Sequence, residues 1–366
     1  MSINNISLDV ISTPVKPALL SLSPPSLKAW IMEKQQPAHR LVQIQQWLLL
    51  KRCMAFSDMS DLPKSLRDDL ANTFALYSEE IEIHKIAEDD TRKLILKLQD
   101  GNRIECVLMK EESRRTVCVS TQVGCAMGCV FCASGIDGVV RNLKAYEILE
   151  QMILARNLLP ESERLSHVVI MGMGEPMANL DNLLEALETA CSPKGLGLSA
   201  RHITISTVGL PVKIKQLADT GKQYHLAVSL HAPNDEIRSK IVPTNSKIGI
   251  YEVLDAADYF QEVTGRQVTF EYILLGGIND QNDHAQELAS LLRKRKAHVN
   301  LIPFNRVQGL PFLKPEQEAV HEFVRILKAS GQTVTVRKRK GADIDAACGQ
   351  LAGDIQDRTR ITMRMK

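Results

Sequence analysis

Apolar positions in this chain follow two rhythms, one before about residue 90 and another after it. In the first part they recur at helical spacing over 27–36, over 39–53 and over 63–72 behind Pro63. The stretch HRLVQIQQWLLLKRC puts its apolar side chains on one helical face. Residues 1–25, rich in Ser and Pro, read as loosely ordered, and 26–90 as a small helical accessory domain. Residues 94–99 and 104–109 then alternate apolar with polar around Asp100-Gly101-Asn102, which predicts a connecting β-hairpin within 91–110.

From 111 to 342 the pattern becomes strand, then helix, repeatedly. β-rich runs stand at 116–121, 167–171, 203–207, 225–230, 268–274 and 298–302. Helical stretches lie near 144–158, 179–190, 210–220, 250–264, 282–296 and 315–330. Such alternation predicts a parallel sheet covered by helices. Six units fall short of the eight that close a barrel. The predicted fold class is therefore α/β, an open partial (β/α)6 barrel with the helical domain in front and a C-terminal segment, 343–366, behind. In such folds ligands collect at the C-terminal ends of the strands.

At 366 residues, with 44% hydrophobic and 24% charged, the chain has the balance of a soluble globular protein. No apolar run approaches the roughly 20 residues that span a bilayer. The opening MSINNISLDV lacks the basic start and apolar core of a secretory signal, so a cytoplasmic protein without a membrane anchor is expected. In that compartment the eight cysteines do not form a disulfide framework. Cys53 and Cys191, in partly apolar helical stretches, read as core residues. Net charge is only +2, but nine Lys or Arg against four Asp between Lys328 and Lys366 form a local basic run able to track phosphates.

The chemistry is concentrated in QVGCAMGCVFCASG, just after the first strand of the α/β region. Cys125, Cys129 and Cys132 stand as C-x3-C-x2-C in a Gly-containing loop. Tetrahedral zinc wants four ligands, usually in paired C-x2-C hooks, and no histidine is near to complete a set. Iron–sulfur cubes usually take four thiolates, so three would leave one iron open to bind a further molecule. The GMGEP turn, Gly172 to Pro176, follows the second strand and offers close backbone approach and a carboxylate, Glu175.

With these motifs the chain resembles the radical S-adenosylmethionine superfamily, and within it the adenine-C2 RNA methyltransferases of the RlmN family, with the C8-methylating Cfr enzymes as relatives. The resemblance runs from about 27 to 361 through DGNRIECVLM, VCVSTQVGCAMGCVFCASG, VVIMGMGEPMANLDN, RHITISTVG, VSLHAPNDEIR, GGINDQNDHAQELA, LIPFNRV and GADIDAACGQLAG. It implies that Cys125, Cys129 and Cys132 hold a [4Fe–4S] cluster whose open iron chelates S-adenosylmethionine. It implies that Gly174, Glu175, Ser206, Ser229, Leu230, His231 and Asn305 contact that cofactor, although a lone His231 would otherwise read as a core histidine.

The resemblance also gives roles to residues that look bland alone. Cys348 matches the cysteine that receives a methyl group, loses a hydrogen from it to a 5′-deoxyadenosyl radical and adds the carbon to adenine. Cys118 matches the resolving cysteine, whose thiolate attacks Cys348 through a transient disulfide. Glu105 matches the proposed general base, a role suited to a carboxylate whose pKa burial raises. The implied substrates are an adenine of large-subunit ribosomal RNA and a transfer RNA beside its anticodon, gripped by residues 26–90 and the basic C-terminal run. A flavodoxin-type electron donor and a monomeric state go with that reading. Two departures stand out. Cys106 occupies a position where Thr or Ser is commoner, and Gln122-Val123-Gly124-Cys125 lacks the extra cysteine of the Cfr pattern, which favours C2 over C8, while a paralogue with a different adenine target would look the same.

Overall fold

Residues 15–351, apart from 296 and 308, are described by a computed structural model. The expected loose start at 1–14 and the end at 352–366, with Arg358, Arg360, Arg364 and Lys366, lie outside the described residues. The chain divides into two compact units. One comprises the residues up to Gln45 together with Cys53–Ser78; the other comprises Gln46–Arg52 and everything from Glu79 onward.

In the first unit, α1 (Pro24–Glu33) starts where the Ser23 side chain accepts from the Ser26 N–H at 3.2 Å and Pro24 needs no hydrogen-bond partner. After α2 (Arg40–Leu49), of which only the residues up to Gln45 belong to this unit, comes α3 (Lys64–Thr73), whose Leu66 and Leu70 are buried. The Trp30 ring meets Phe74 edge-on at 4.9 Å. Residues 15–25 are more ordered than their composition predicts: Leu19–Ser21 forms a 3-10 turn, Leu19 is buried, and Ala18 bridges to Ala75.

The second unit is built on one ten-stranded sheet. Its first three strands, β1 (Glu79–Ile86), β2 (Arg92–Leu98) and β3 (Arg103–Lys110), are antiparallel. β1 falls inside the span read as helical; in its sequence EEIEIHKI the alternation is brief, the apolar spacing slipping from Ile81 and Ile83 to Ile86, and the register shifts between Ile81 and Ile83. The expected hairpin, β2–β3, is not a connector but an extension of the main sheet, because β3 pairs with β4 (Arg115–Cys118). A small ribbon, β5 (Gln122–Gly124) with β6 (Val139–Asn142), then frames the cysteine loop.

Strand and helix alternate from there: α4 (Ala145–Asn157), β7 (His167–Ile170), α5 (Leu180–Cys191), β8 (Ile203–Thr207), α6 (Pro211–Asp219) and β9 (His225–Ser229). The series continues with α7 (Asp235–Ile241), α8 (Ile250–Thr264), β10 (Val268–Leu274), α9 (Asn282–Leu292), β11 (Ala297–Pro303), α10 (Gln317–Ala329) and β12 (Thr333–Val336). The parallel strands pair in chain order from β4 to β12, and the ends of the sheet, β1 and β12, do not meet. This is the open partial barrel, with a seventh parallel strand, β12, beyond the six expected. β12 is four residues long, too short for its alternation to stand out. Helix α4 is buried almost all round, and its Gln151 accepts from the Ser120 N–H at 2.7 Å and donates to the Ser120 carbonyl at 3.0 Å. That pair fixes the chain where it leaves β4 for the cysteine loop. Among the described residues no helix is long and apolar enough to cross a membrane.

Candidate active site

Alternate residues of a strand face one side of a sheet, and in this sheet one side encloses a cavity of about 1440 Å³. Every parallel strand contributes: Thr116 and Cys118, Val169, Thr204, His225, Thr269, Asn300 and Thr335 all line it. Asn305 and Arg306 line it beyond the end of β11, and Arg337 to Lys340 beyond β12. Ser206 and Ser229 stand two and four residues after the lining residues Thr204 and His225, so they share that face.

The cysteine loop follows the first parallel strand, β4. The Cys125 N–H donates to Gly138 O at 2.9 Å, the Cys132 N–H to Cys129 O at 3.1 Å and the Val130 N–H to Ile241 O at 3.1 Å. Gly124 is obligatory, since a Cβ there would lie 2.1 Å from Gly138 O and its φ is +76°. Cys129 and Cys132 pack against an apolar cluster that includes Phe131, Ile241, Val242 and Phe304. Burial in that setting pushes the Cys125 thiol up to about 12, and raises Cys129 and Cys132 as well. The trio is thus neutral until cations compensate its thiolates. Among the described residues no three His, Cys, Asp or Glu side chains converge on a single ion. Three half-buried thiols on one loop match the donor set of a [4Fe–4S] cube, which spreads its thiolates over separate irons.

The GMGEP turn is braced from within. Gly174 has φ +102°, and a Cβ there would meet Gln122 Cβ at 2.6 Å and Gln122 N at 2.8 Å. The buried Glu175 carboxylate accepts from the Met177 N–H at 3.0 Å, the Thr207 hydroxyl at 2.7 Å and the Val208 N–H at 2.8 Å. Burial raises its pKa and these three donors oppose the rise. Its backbone N–H donates to Gln122 Oε1 at 2.8 Å. Glu175 therefore ties the turn to β8, a bracing role that the sequence did not disclose.

His231 is held in the left-handed region at φ +61°. Its Nδ1 accepts from the Ile273 N–H at 3.1 Å, its carbonyl accepts from Asn279 Nδ2 at 2.8 Å, and its ring meets Phe131 edge-on at 4.9 Å. Burial, helped by the Arg238 charge, pushes the imidazole down to about 3, so it is neutral. Leu230 is buried, its N–H bonded to Glu271 O at 3.0 Å. Arg238 is buried too and gathers the strand ends, donating to Val208 O at 2.6 Å, Leu230 O at 3.1 Å and Ser229 O at 3.3 Å. Its place in VSLHAPNDEIR was visible, its positioning role was not.

Cys118 and Cys348, far apart in sequence, line the same cavity. The C-terminal segment is fastened beside the cysteine loop: the Ala133 N–H donates to Gly349 O at 2.8 Å and the Ser134 hydroxyl to Leu351 O at 2.9 Å. Burial, reinforced by neighbouring Cys348, pushes the Cys118 thiol up to about 12, while the guanidinium of Arg337 pulls the other way. All eight cysteines are free, so the disulfide expected to form transiently is absent from this state. Glu105 is wholly buried, and its Oε2 lies 2.9 Å from Lys93 Nζ, which is equally buried. The sequence called for burial to tune this carboxylate; the structure supplies a buried counter-charge as well. Cys106 is buried beside Cys118 and Glu79, and burial raises its thiol pKa.

An open parallel barrel with a three-cysteine loop after its first parallel strand is the arrangement of a radical S-adenosylmethionine enzyme. The family model for the radical SAM superfamily matches residues 119–289, and that for the ribosomal RNA large subunit methyltransferase N-terminal domain matches 18–76. A Rhodopirellula baltica protein named probable dual-specificity RNA methyltransferase RlmN is 51% identical over 353 residues, covering 94% of this chain and 95% of its own. A Bacillus subtilis protein of the same name is 44% identical over 347 residues, covering 94% and 96%. The crystal structure of a radical SAM methyltransferase from Sphaerobacter thermophilus superposes with a TM-score of 0.88 at 42% identity, covering 92% of this chain and 99% of that one. The chain belongs to the RlmN family of radical SAM RNA methyltransferases.

Proposed function

We propose that this enzyme methylates C2 of an adenine in large-subunit ribosomal RNA, and of a transfer RNA beside its anticodon, by way of a methyl group carried on Cys348. The observation that carries the reading is the meeting of Cys118 and Cys348 in one cavity next to the cysteine loop. A radical reaction on an unrelated substrate has no use for that pair.

Cys125, Cys129 and Cys132 would hold a [4Fe–4S] cluster, and Gly174, Glu175, Ser206, Ser229, Leu230, His231 and Asn305 would surround S-adenosylmethionine. When bound, the two supply the one-electron cleavage that generates a 5′-deoxyadenosyl radical. The chain's own residues do the rest. Cys348 accepts a methyl group on sulfur from S-adenosylmethionine, which leaves as S-adenosylhomocysteine. One hydrogen of that methyl passes to the 5′-deoxyadenosyl radical, the carbon joins the adenine, and the odd electron this leaves on the ring would return to the cluster. Glu105 takes the proton from that ring carbon. The Cys118 thiolate then attacks Cys348 sulfur: an S–S bond forms, the S–C bond breaks, and the carbon leaves with the electron pair and is protonated to a methyl group. The two cysteines end oxidised by two electrons and must be reduced before the next turnover.

RNA is held mainly through phosphate charge, and Arg306, Lys338, Arg339 and Lys340 rim the cavity to provide it. The helical unit at 18–76 adds a second RNA contact. The enzyme works in the cytoplasm as a monomer fed by a flavodoxin-type donor. The test is anaerobic incubation of the cluster-loaded enzyme with unmodified ribosomal RNA and S-adenosylmethionine, followed by nucleoside mass spectrometry. 2-Methyladenosine supports the reading; 8-methyladenosine, or no methylated adenosine, overturns it.

A further inference from the structure

We propose that Lys93 is a positioning residue for the release of RNA, holding Glu105 charged and linking it to the segment that carries Cys348. The proposal rests on the reading of Glu105 as the base. Strand register carries it. Lys93 pairs across the sheet with Val107, and Val107 with Cys118. Directly paired residues share a face, and Glu105 stands two before Val107, so Lys93, Glu105, Val107 and Cys118 all face the cavity side. The Lys93 ammonium lies 2.9 Å from Glu105 Oε2, and both side chains are fully removed from solvent. The same Nζ donates to Asp345 O at 3.1 Å, three residues before Cys348.

Two more bonds make this a cradle. The Gly341 N–H donates to Asp89 Oδ2 at 3.2 Å, and the Glu88 N–H to Asp343 Oδ2 at 3.2 Å. A Cβ on Gly341 would stand 2.7 Å from Ala346 Cβ and 3.0 Å from Thr91 Cγ2, so the loop and the β1–β2 turn are in close contact. The antiparallel strands thus hold the methyl-carrying segment, and Lys93 is the point where that cradle meets the carboxylate.

Stability alone does not call for two charges here, since apolar groups of similar volume commonly stabilise a buried site as well or better. A base is different. A carboxylate buried alone is driven to its protonated form, which cannot accept a proton, and an ammonium in contact reverses that. In the release step the proton leaves the adenine carbon bonded to the Cys348 methylene and passes to a Glu105 oxygen. The C–H electron pair stays with the ring.

The test compares Lys93→Gln, Lys93→Arg, Glu105→Gln and the double variant Lys93→Gln/Glu105→Gln as cluster-loaded enzymes with large-subunit ribosomal RNA from cells lacking this enzyme. Methylation of Cys348 and covalent RNA–protein adduct are quantified alongside turnover. Lys93→Gln should carry the Cys348 methyl yet turn over roughly a hundredfold more slowly and accumulate adduct, the range of a lost general base. Lys93→Arg should restore part of the rate, and the double variant should release RNA no more slowly than Glu105→Gln. Folding of Lys93→Gln only when Glu105 is also neutralised supports the same charge coupling. Wild-type turnover by Lys93→Gln, or a double variant much slower than Glu105→Gln, overturns the proposal while Glu105→Gln still traps adduct. Wild-type release by Glu105→Gln overturns the base reading itself.

Discussion

Replacing Glu175 by Gln changes one oxygen for an NH2 group in a side chain only 3% exposed. In the native turn one carboxylate oxygen accepts from Met177 N–H and the Thr207 hydroxyl, the other from Val208 N–H. Whichever way the amide is placed, a buried backbone N–H faces another donor. One charge-assisted hydrogen bond is lost and one buried donor is left unmet, a cost of about 2–4 kcal/mol. For a domain of this size that lowers the midpoint of thermal unfolding by roughly 5–10 °C. The assay is thermal unfolding of the cluster-free protein at pH 8, read by circular dichroism, beside S-adenosylmethionine binding to the cluster-loaded one. The variant should melt earlier and bind the cofactor more weakly, because the brace anchors the turn on which Gly174 lies. A melting temperature within about 1 °C of wild type would refute the bracing role, since even 1 kcal/mol would shift it further.

Cys118→Ala should retain the methyl on Cys348 and trap covalent RNA–protein adduct, visible as a retarded band that nuclease digestion collapses. Single Cys125, Cys129 or Cys132→Ala substitutions should leave anaerobically purified protein colourless, without the iron and sulfide found in wild type. Gly174→Ala combines a φ of +102° with contacts below 3 Å to Gln122, a cost of about 2–4 kcal/mol, and should weaken cofactor binding by at least tenfold. His231 has its pKa in the fold pushed down to about 3, below the ordinary 6.5 it regains on unfolding. The stability this contributes is complete above pH 6.5 and is lost as pH falls from there towards 3. Denaturant midpoints measured between pH 7.5 and 5 should therefore fall less steeply in His231→Gln than in wild type.

How legible this molecule was depended on how local each signal is. The parallel strands announced themselves because runs such as VTFEYIL in β10 are rich in β-branched, aromatic and aliphatic residues, as strands covered on both sides tend to be. β1 was missed because alternation in EEIEIHKI lasts only from Ile81 to Ile83 and neighbouring helical patterns suggested a boundary at about 90 rather than at Ser78. The cysteine loop was readable since its three thiols lie within one turn of chain. Cys118 and Cys348 were not: nothing local distinguishes a strand-core cysteine from one facing a cavity, and only the resemblance paired them. Lys93 was invisible for the same reason. In RKLILKL it reads as an outward strand residue, and its burial follows from β3 and residues 341–345, which lie elsewhere in the sequence.

The central claim is that the methyl carbon reaches RNA through Cys348, which gives up one hydrogen on the way. Wild-type enzyme whose Cys348 methyl has been introduced from S-adenosylmethionine bearing a trideuterated methyl group should yield 2-methyladenosine retaining two of the three labels. A product with all three deuteriums would mean that the methyl group moved intact, and would contradict the account.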